Sequence, residues 1–143
     1  PTAVLVDVDG TVARMVGRGP FDWHRVSEDE PIEDVIDMVK MISQCGVEII
    51  FMSGRDEVCR AATQAWLKEA FRGAFPTWDT PDYPLFMRPE GNTEKDSIVK
   101  AELFWEEVAP NYNVLGVFDD RDQVVEFWRS IGLTCFQVAP GAF

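Results

Sequence analysis

Four aspartates and a serine stand where apolar runs of the chain end. Asp7 and Asp9 follow TAVLV at residues 2–6, Ser53 follows VEIIFM at 47–52, and Asp119 with Asp120 follows VLGVF at 114–118. A lone Asp at such a place is an ordinary turn or cap residue. Acid clusters at several strand ends are another matter, because crowded carboxylates repel and raise one another's pKa unless a cation lies between them. Carboxylate oxygens and water are what Mg²⁺ takes, so Asp7, Asp9, Asp119 and Asp120 are candidate metal ligands.

The elements that must position these groups follow from periodicity. Residues 2–7 and 47–52 are short, β-branched apolar runs of the kind buried on both faces of a parallel sheet. Residues 10–30, rich in Gly and Arg, read as a long loop with one short element. Pro31 suits a first helical position, Ile32, Val35, Ile36, Val39 and Ile42 keep helical spacing, and Gly46 ends that helix. Helical patterns follow at 56–71, at 96–108 with Ile98, Val99, Leu103 and Trp105 to bury, and at 122–131. Residues 73–84 form a loop, 85–88 and 134–138 are short strands, and Gly91-Asn92 is a turn. Strands alternating with helices imply an α/β fold, a Rossmann-like parallel sheet with helices on both faces and ligands beyond the carboxyl ends of the strands.

Length and composition agree with one domain over residues 1–143. The chain is 46% hydrophobic and 12% aromatic, which excludes disorder. It holds no apolar run long enough to span a membrane and no signal-peptide pattern, so a soluble intracellular protein is expected. Cys45, Cys59 and Cys135 lack CxxC spacing and read as reduced, mostly buried thiols. His24 is the only histidine, which leaves histidine catalysis nothing to build on. The net charge of −12 opposes nucleic-acid binding unless local arrangement reverses it.

Asp7-Val8-Asp9-Gly10-Thr11 after an apolar strand resembles the signature of the haloacid dehalogenase (HAD) phosphohydrolase superfamily. The resemblance implies that Asp7 attacks phosphorus to give an aspartyl-phosphate and that Asp9 is the general acid and base. It assigns Ser53 to a phosphoryl oxygen, Lys100 to charge neutralisation beside the nucleophile, and Asp119 with Asp120 to Mg²⁺. Longer stretches narrow it: DVDGTVARMVGRGPFD (7–22), SGR (53–55), DSIVKAELFW (96–105), FDDRDQVVEFWRSIGL (118–133) and QVAPGAF (137–143) look like the 3′-phosphatase domains of phage polynucleotide kinase/phosphatases. The match covers essentially the whole chain, with a variable patch near 60–82. It adds Arg18, Arg55 and Asp96 as residues needed for activity, with Thr11 and Gly54 in the substrate-binding motifs. Guanidinium forks suit phosphate, and Asp96 lies one helical turn before Lys100.

The implied activity is Mg²⁺-dependent removal of 3′-terminal phosphate from DNA or RNA ends, extending to 2′,3′-cyclic phosphates, in end repair. The location would be cytoplasmic, in the host cell if phage-encoded. No GxxxxGK[ST] phosphate loop occurs, so ATP-dependent 5′-phosphorylation is not assigned; a kinase domain before Pro1, or a separate kinase or ligase in the same pathway, stays open. Residues 10–52 and 54–99, where the superfamily inserts caps, leave little length for a lid, which favours a polymer end. Arg14, Arg18, Arg25 and Arg55 are candidates for a positive rim, although Arg14 and Arg25 equally suit answering nearby acids. Of the tryptophans, Trp78 is the candidate base-stacking residue and the other four are expected in core or interface. Two alternatives stay open: a nucleotidase or other small phosphomonoester phosphatase, and a non-catalytic docking module.

Overall fold

The computed structural model describes residues 1–74 and 84–143. Its centre is a five-stranded parallel sheet of β1 (Thr2–Val6), β4 (Glu48–Asp56), β5 (Leu85–Arg88), β6 (Asn113–Asp119) and β7 (Cys135–Gln137), in the order β5-β4-β1-β6-β7. The order reverses at β1, so the crevice lies beyond the ends of β1, β4 and β6, as the alternating pattern implies. Period-two alternation explains the two cores. Val4 and Val6 of β1 join Ile49 and Phe51 of β4 on one face, against Val39, Leu67 and Phe71. Ala3, Leu5, Ile50 and Met52 point to the other, against Phe104, Val125 and Trp128.

The helices are α1 (Glu33–Ser43), α2 (Arg60–Ala70), α3 (Asp96–Leu103) and α4 (Asp122–Ser130). Gly46 (φ 81°) follows the first of them, as its place in the sequence suggests. Several boundaries differ from expectation. Pro31 is not helical: it pairs with Ala13, and β2 (Ala13–Arg14) with β3 (Glu30–Pro31) makes an antiparallel ribbon inside the stretch read as loop. Strand β4 runs through Ser53-Gly54-Arg55 to Asp56, because pairing with β5 resumes at Asp56↔Arg88 after an irregularity. Helix α2 accordingly begins at Arg60, after a 3₁₀ turn over Glu57–Cys59 in which Asp56 accepts from the Val58 amide.

The third helical pattern is α3 continued by a π-helical turn over Phe104–Val108, closed by the Ala109 amide on the Phe104 carbonyl at 2.8 Å. Val99 is buried as expected, but Ile98 and Trp105 are exposed. Trp128 is buried, Trp23 and Trp66 are half-buried, and Trp78 lies outside the described residues. Cys59 and Cys135 are buried while Cys45 and His24 are exposed. Among the described residues no large cap covers the crevice, and no helix is long and apolar enough to cross a membrane.

Candidate active site

Strand β1 ends at Val6 and hands Asp7 to the crevice, where each carboxylate oxygen meets a different donor. Lys100 Nζ, from α3, lies 2.7 Å from Asp7 Oδ1, and Thr11 Oγ1 donates to Oδ2 at 2.9 Å. Lys100 also reaches Asp119 Oδ2 at 3.1 Å. Asp119 is fixed from both sides: Trp128 Nε1 donates to Oδ2 at 3.2 Å, and the Asp120 amide to Oδ1 at 2.8 Å. Asp120 fits beside them because residue 10 is glycine. A Cβ there would stand 2.1 Å from Asp120 Oδ2, and the backbone takes φ 80°.

Asp7, Asp119 and Asp120 offer oxygens within 4.8 Å of one another, and all three are buried. One ammonium faces three carboxylates. Burial first, then Asp119 and Asp120, hold the Asp7 carboxyl well above its ordinary range against the opposing pull of Lys100. Asp120 is raised too, again chiefly by burial. Around Lys100, burial favours the neutral amine, yet Asp119, Asp7 and Asp96 together outweigh it and raise the ammonium's pKa well above normal. A hard, oxygen-only set with an excess of negative charge fits Mg²⁺. The Asp9 carboxylate, expected in this set, lies outside it.

Asp9 is turned to the arginines. Arg55 Nη2 lies 2.7 Å from its Oδ1 and Arg18 Nη2 3.3 Å from the same oxygen. Behind both guanidiniums stands Asp29, a buried acid that sequence reasoning missed. It takes Arg18 at 2.8 Å on each oxygen and Arg55 Nη2 at 2.6 Å, while Trp66 Nε1 donates to its carbonyl at 2.8 Å. Thr63 accepts from Arg55 Nη1 at 3.0 Å. The Arg18 and Arg55 side chains are fully buried, so they form no exposed rim. Arg14 and Arg25 do answer acids, Glu30 at 3.8 Å and Glu28 at 2.9 Å.

Asp96 meets Lys100 at 3.9 Å, the helical-turn pairing expected, and also Arg88 at 3.5 Å and Arg121 at 3.7 Å. Its Oδ1 is buried without a hydrogen bond and lies where a Cβ on Gly54 would be, at 2.2 Å. Gly54 thus admits Asp96 to the end of β4. Ser53 is buried; its Oγ accepts from the Arg55 amide at 3.1 Å, so it caps no helix. The crevice above is a cleft of about 580 Å³ whose lining includes Asp7, Asp9, Arg55, Asp96, Asp119 and Asp120. Arg88, Arg121, Phe21 and Phe143 also line it, none of them singled out by the motifs. Arg88 ends a strand and Arg121 stands just before a helix, positions that without the fold carry no chemical signal.

Comparison with known proteins identifies the family of the chain. The family model described as the polynucleotide kinase PNKP phosphatase domain matches residues 1–143. A putative bifunctional polynucleotide kinase/RNA ligase of Autographa californica nuclear polyhedrosis virus is 42% identical over 141 residues, covering 96% of this chain and 19% of that protein. A subunit of a solved Pnkp1/Rnl/Hen1 complex superposes with TM-score 0.87 at 37% identity, over 100% of this chain and 47% of its own. The chain therefore spans about a fifth of the viral relative and under half of that subunit. The class C acid phosphatase of Bacillus anthracis, solved with tungstate bound, shares the fold at TM-score 0.62 and 23% identity, over 86% of this chain and 53% of its own. The chain belongs to the PNKP phosphatase-domain family and is a phosphoric monoester hydrolase with a HAD-like fold.

Proposed function

We propose that residues 1–143 act as a Mg²⁺-dependent polynucleotide 3′-phosphatase that removes 3′-terminal phosphate, and opens and removes 2′,3′-cyclic phosphate, at DNA or RNA ends. The observation that carries this reading is Asp7 held between Lys100 and Thr11 at the floor of a cleft with no large cap among the described residues. A polynucleotide end can enter such a cleft. The family match and the kinase/RNA ligase relative support a nucleic-acid substrate over a small metabolite.

In this mechanism an Asp7 oxygen attacks phosphorus, and an oxygen–phosphorus bond forms as the bond to the 3′-oxygen breaks. Asp9 gives its proton to the leaving oxygen. It then takes a proton from water, which attacks phosphorus and expels the Asp7 carboxylate, releasing inorganic phosphate. Arg18 and Arg55, anchored by Asp29, hold the Asp9 carboxyl in the lining of the cleft that Asp7 also lines. Ser53 and Gly54 shape the phosphate subsite, and Asp96 steers Lys100, Arg88 and Arg121. Mg²⁺, held by Asp7, Asp119 and Asp120, would neutralise the acid cluster and polarise phosphoryl oxygens. In cells the domain would work beside 5′-kinase and ligase activities, in the same or separate polypeptides, in the cytoplasm.

The test is phosphate release, with Mg²⁺, from a 3′-phosphorylated oligonucleotide beside its 5′-phosphorylated twin, a 3′-mononucleotide and the Asp7→Asn protein. Release confined to the 3′ oligonucleotide and abolished by the substitution supports the assignment. Equal turnover of the mononucleotide would make the chain a nucleotidase instead.

A further inference from the structure

Helix α3 carries two apolar stripes. Val99 is buried and Leu103 packs against the core, while Ile98, Ala101 and Trp105 follow one another at spacings of three and four along the outer side. The π-helical turn at Phe104–Val108 lets Phe104 stay buried while Trp105, edge-on to it at 4.9 Å, stands out. Ile98 is 44% and Trp105 55% exposed, and with Phe127 of α4 they line a groove of about 620 Å³ between the two helices. The groove shares no lining residue with the catalytic cleft. Its rim is acidic: Glu102, Glu106 and Glu126 are exposed, no basic residue is among its lining, and none of the three forms an ion pair among the described residues.

We propose that the α3–α4 groove docks an amphipathic helix of a protein partner that presents apolar residues at helical spacing, flanked by Lys or Arg. An apolar floor of a groove between two helices takes the i, i+3/i+4, i+7 anchors of a third helix, and the glutamates complement basic flanks. The charge pattern disfavours other occupants. A second copy packed two-fold would set glutamate rim on glutamate rim in a chain of net charge −12, and a nucleic acid would meet the same acids with its phosphates.

The probe is a synthetic amphipathic helix with leucines on one face and lysines on both flanks, beside a twin with glutamate for lysine and a scrambled twin of equal composition. Each is titrated into the ¹⁵N-labelled chain while the Trp105 indole signal and the backbone amides of Ile98 and Phe127 are followed. Saturable shifts at these positions with the lysine helix alone are expected. Affinity should fall about tenfold in Trp105→Ala and in the Glu102→Lys/Glu106→Lys variant, which leaves the core untouched. Phosphate release should be unchanged in both, so the outcome does not depend on the catalytic assignment. No shift at Trp105, or equal binding of either twin, would overturn the proposal. A concentration-dependent dimer dissolved by Trp105→Ala would also overturn it, in favour of self-association.

Discussion

Arg18 meets Asp29 through two parallel hydrogen bonds, Nε to Oδ1 and Nη2 to Oδ2, each 2.8 Å, with both side chains wholly buried. The same acid holds Arg55 at 2.6 Å, and both guanidiniums then reach Asp9. Cutting Asp29 to Ala would leave two buried cations short of an anion, a change that costs roughly 3–5 kcal/mol for a buried pair. Asp29→Ala is expected to lower the urea midpoint strongly and to abolish phosphate release. Asp29→Asn keeps the shape and one acceptor oxygen but loses the same charge, so it should be destabilised less than Asp29→Ala while losing activity through a misplaced Asp9. An Asp29→Asn enzyme with full turnover would remove Asp29 from the catalytic design.

Gly54 tests a contact that depends on a missing side chain. A Cβ there would overlap Asp96 Oδ1 at 2.2 Å, and Asp96 is the shared partner of Lys100, Arg88 and Arg121. Gly54→Ala must therefore push Asp96, and with it the head of α3, by an ångström or more. Turnover should fall about 10²-fold, since misplacement of that size is costly in a site built on geometry. The stability loss should be about 1–3 kcal/mol, the usual range for overpacking. Measuring kcat beside the thermal midpoint separates the two effects.

The thiols make a separable prediction about burial. Burial, aided by the nearby negative charge of Asp119, raises Cys135 to about 11, and burial raises Cys59 as well, whereas Cys45 is exposed. At pH 8 the Cys135 thiolate is about a thousandth of the population, because each unit is a factor of ten. Iodoacetamide should then label Cys45 alone in the folded chain and all three cysteines in urea, as read by mass spectrometry. A folded thiol with a raised pKa also supports stability below the unfolded value near 9 and loses that support as pH climbs through 11. Rapid labelling of Cys135 in the native state would show that β7 opens.

Much of this site was legible because strand ends are. Asp7, Ser53 and Asp119 each follow a β-branched run, and the parallel topology carries all three to one edge whatever the loops do. Asp29 was not legible: it follows a 3₁₀ turn in a Gly- and Arg-rich stretch with no hydrophobic period, and only the β2–β3 ribbon brings it under the arginines. The assignment of Arg18 and Arg55 to an exposed rim failed for the same reason, since burial by a distant acid has no local signature. Trp105 was expected inside because helical spacing continues from Ile98, but a helix can carry two apolar stripes and periodicity alone does not say which is covered.

The acid cluster trades stability for function, and metal should reveal it. Burial and mutual repulsion raise Asp7 and Asp120 in the folded chain. A carboxyl raised above its unfolded value contributes stability that is full below the ordinary carboxylate range and lost as pH rises through the raised value. Without metal, these two groups therefore weaken the fold at neutral pH. Asp120→Asn removes one repelling charge, and in EDTA at pH 7.5 it should raise the thermal midpoint by about 3–5 °C, the response to ~1 kcal/mol in a chain of this size. Mg²⁺ at ten times its Kd should stabilise the wild type by about 1.4 kcal/mol. The same titration should move Asp120→Asn little and leave it inactive. Because other acids titrate alike in both proteins, the informative quantity is the difference between them across pH 4 to 8, with and without Mg²⁺. A wild type whose midpoint ignores Mg²⁺, or an Asp120→Asn chain less stable than wild type in EDTA, would mean that Lys100 alone balances the cluster.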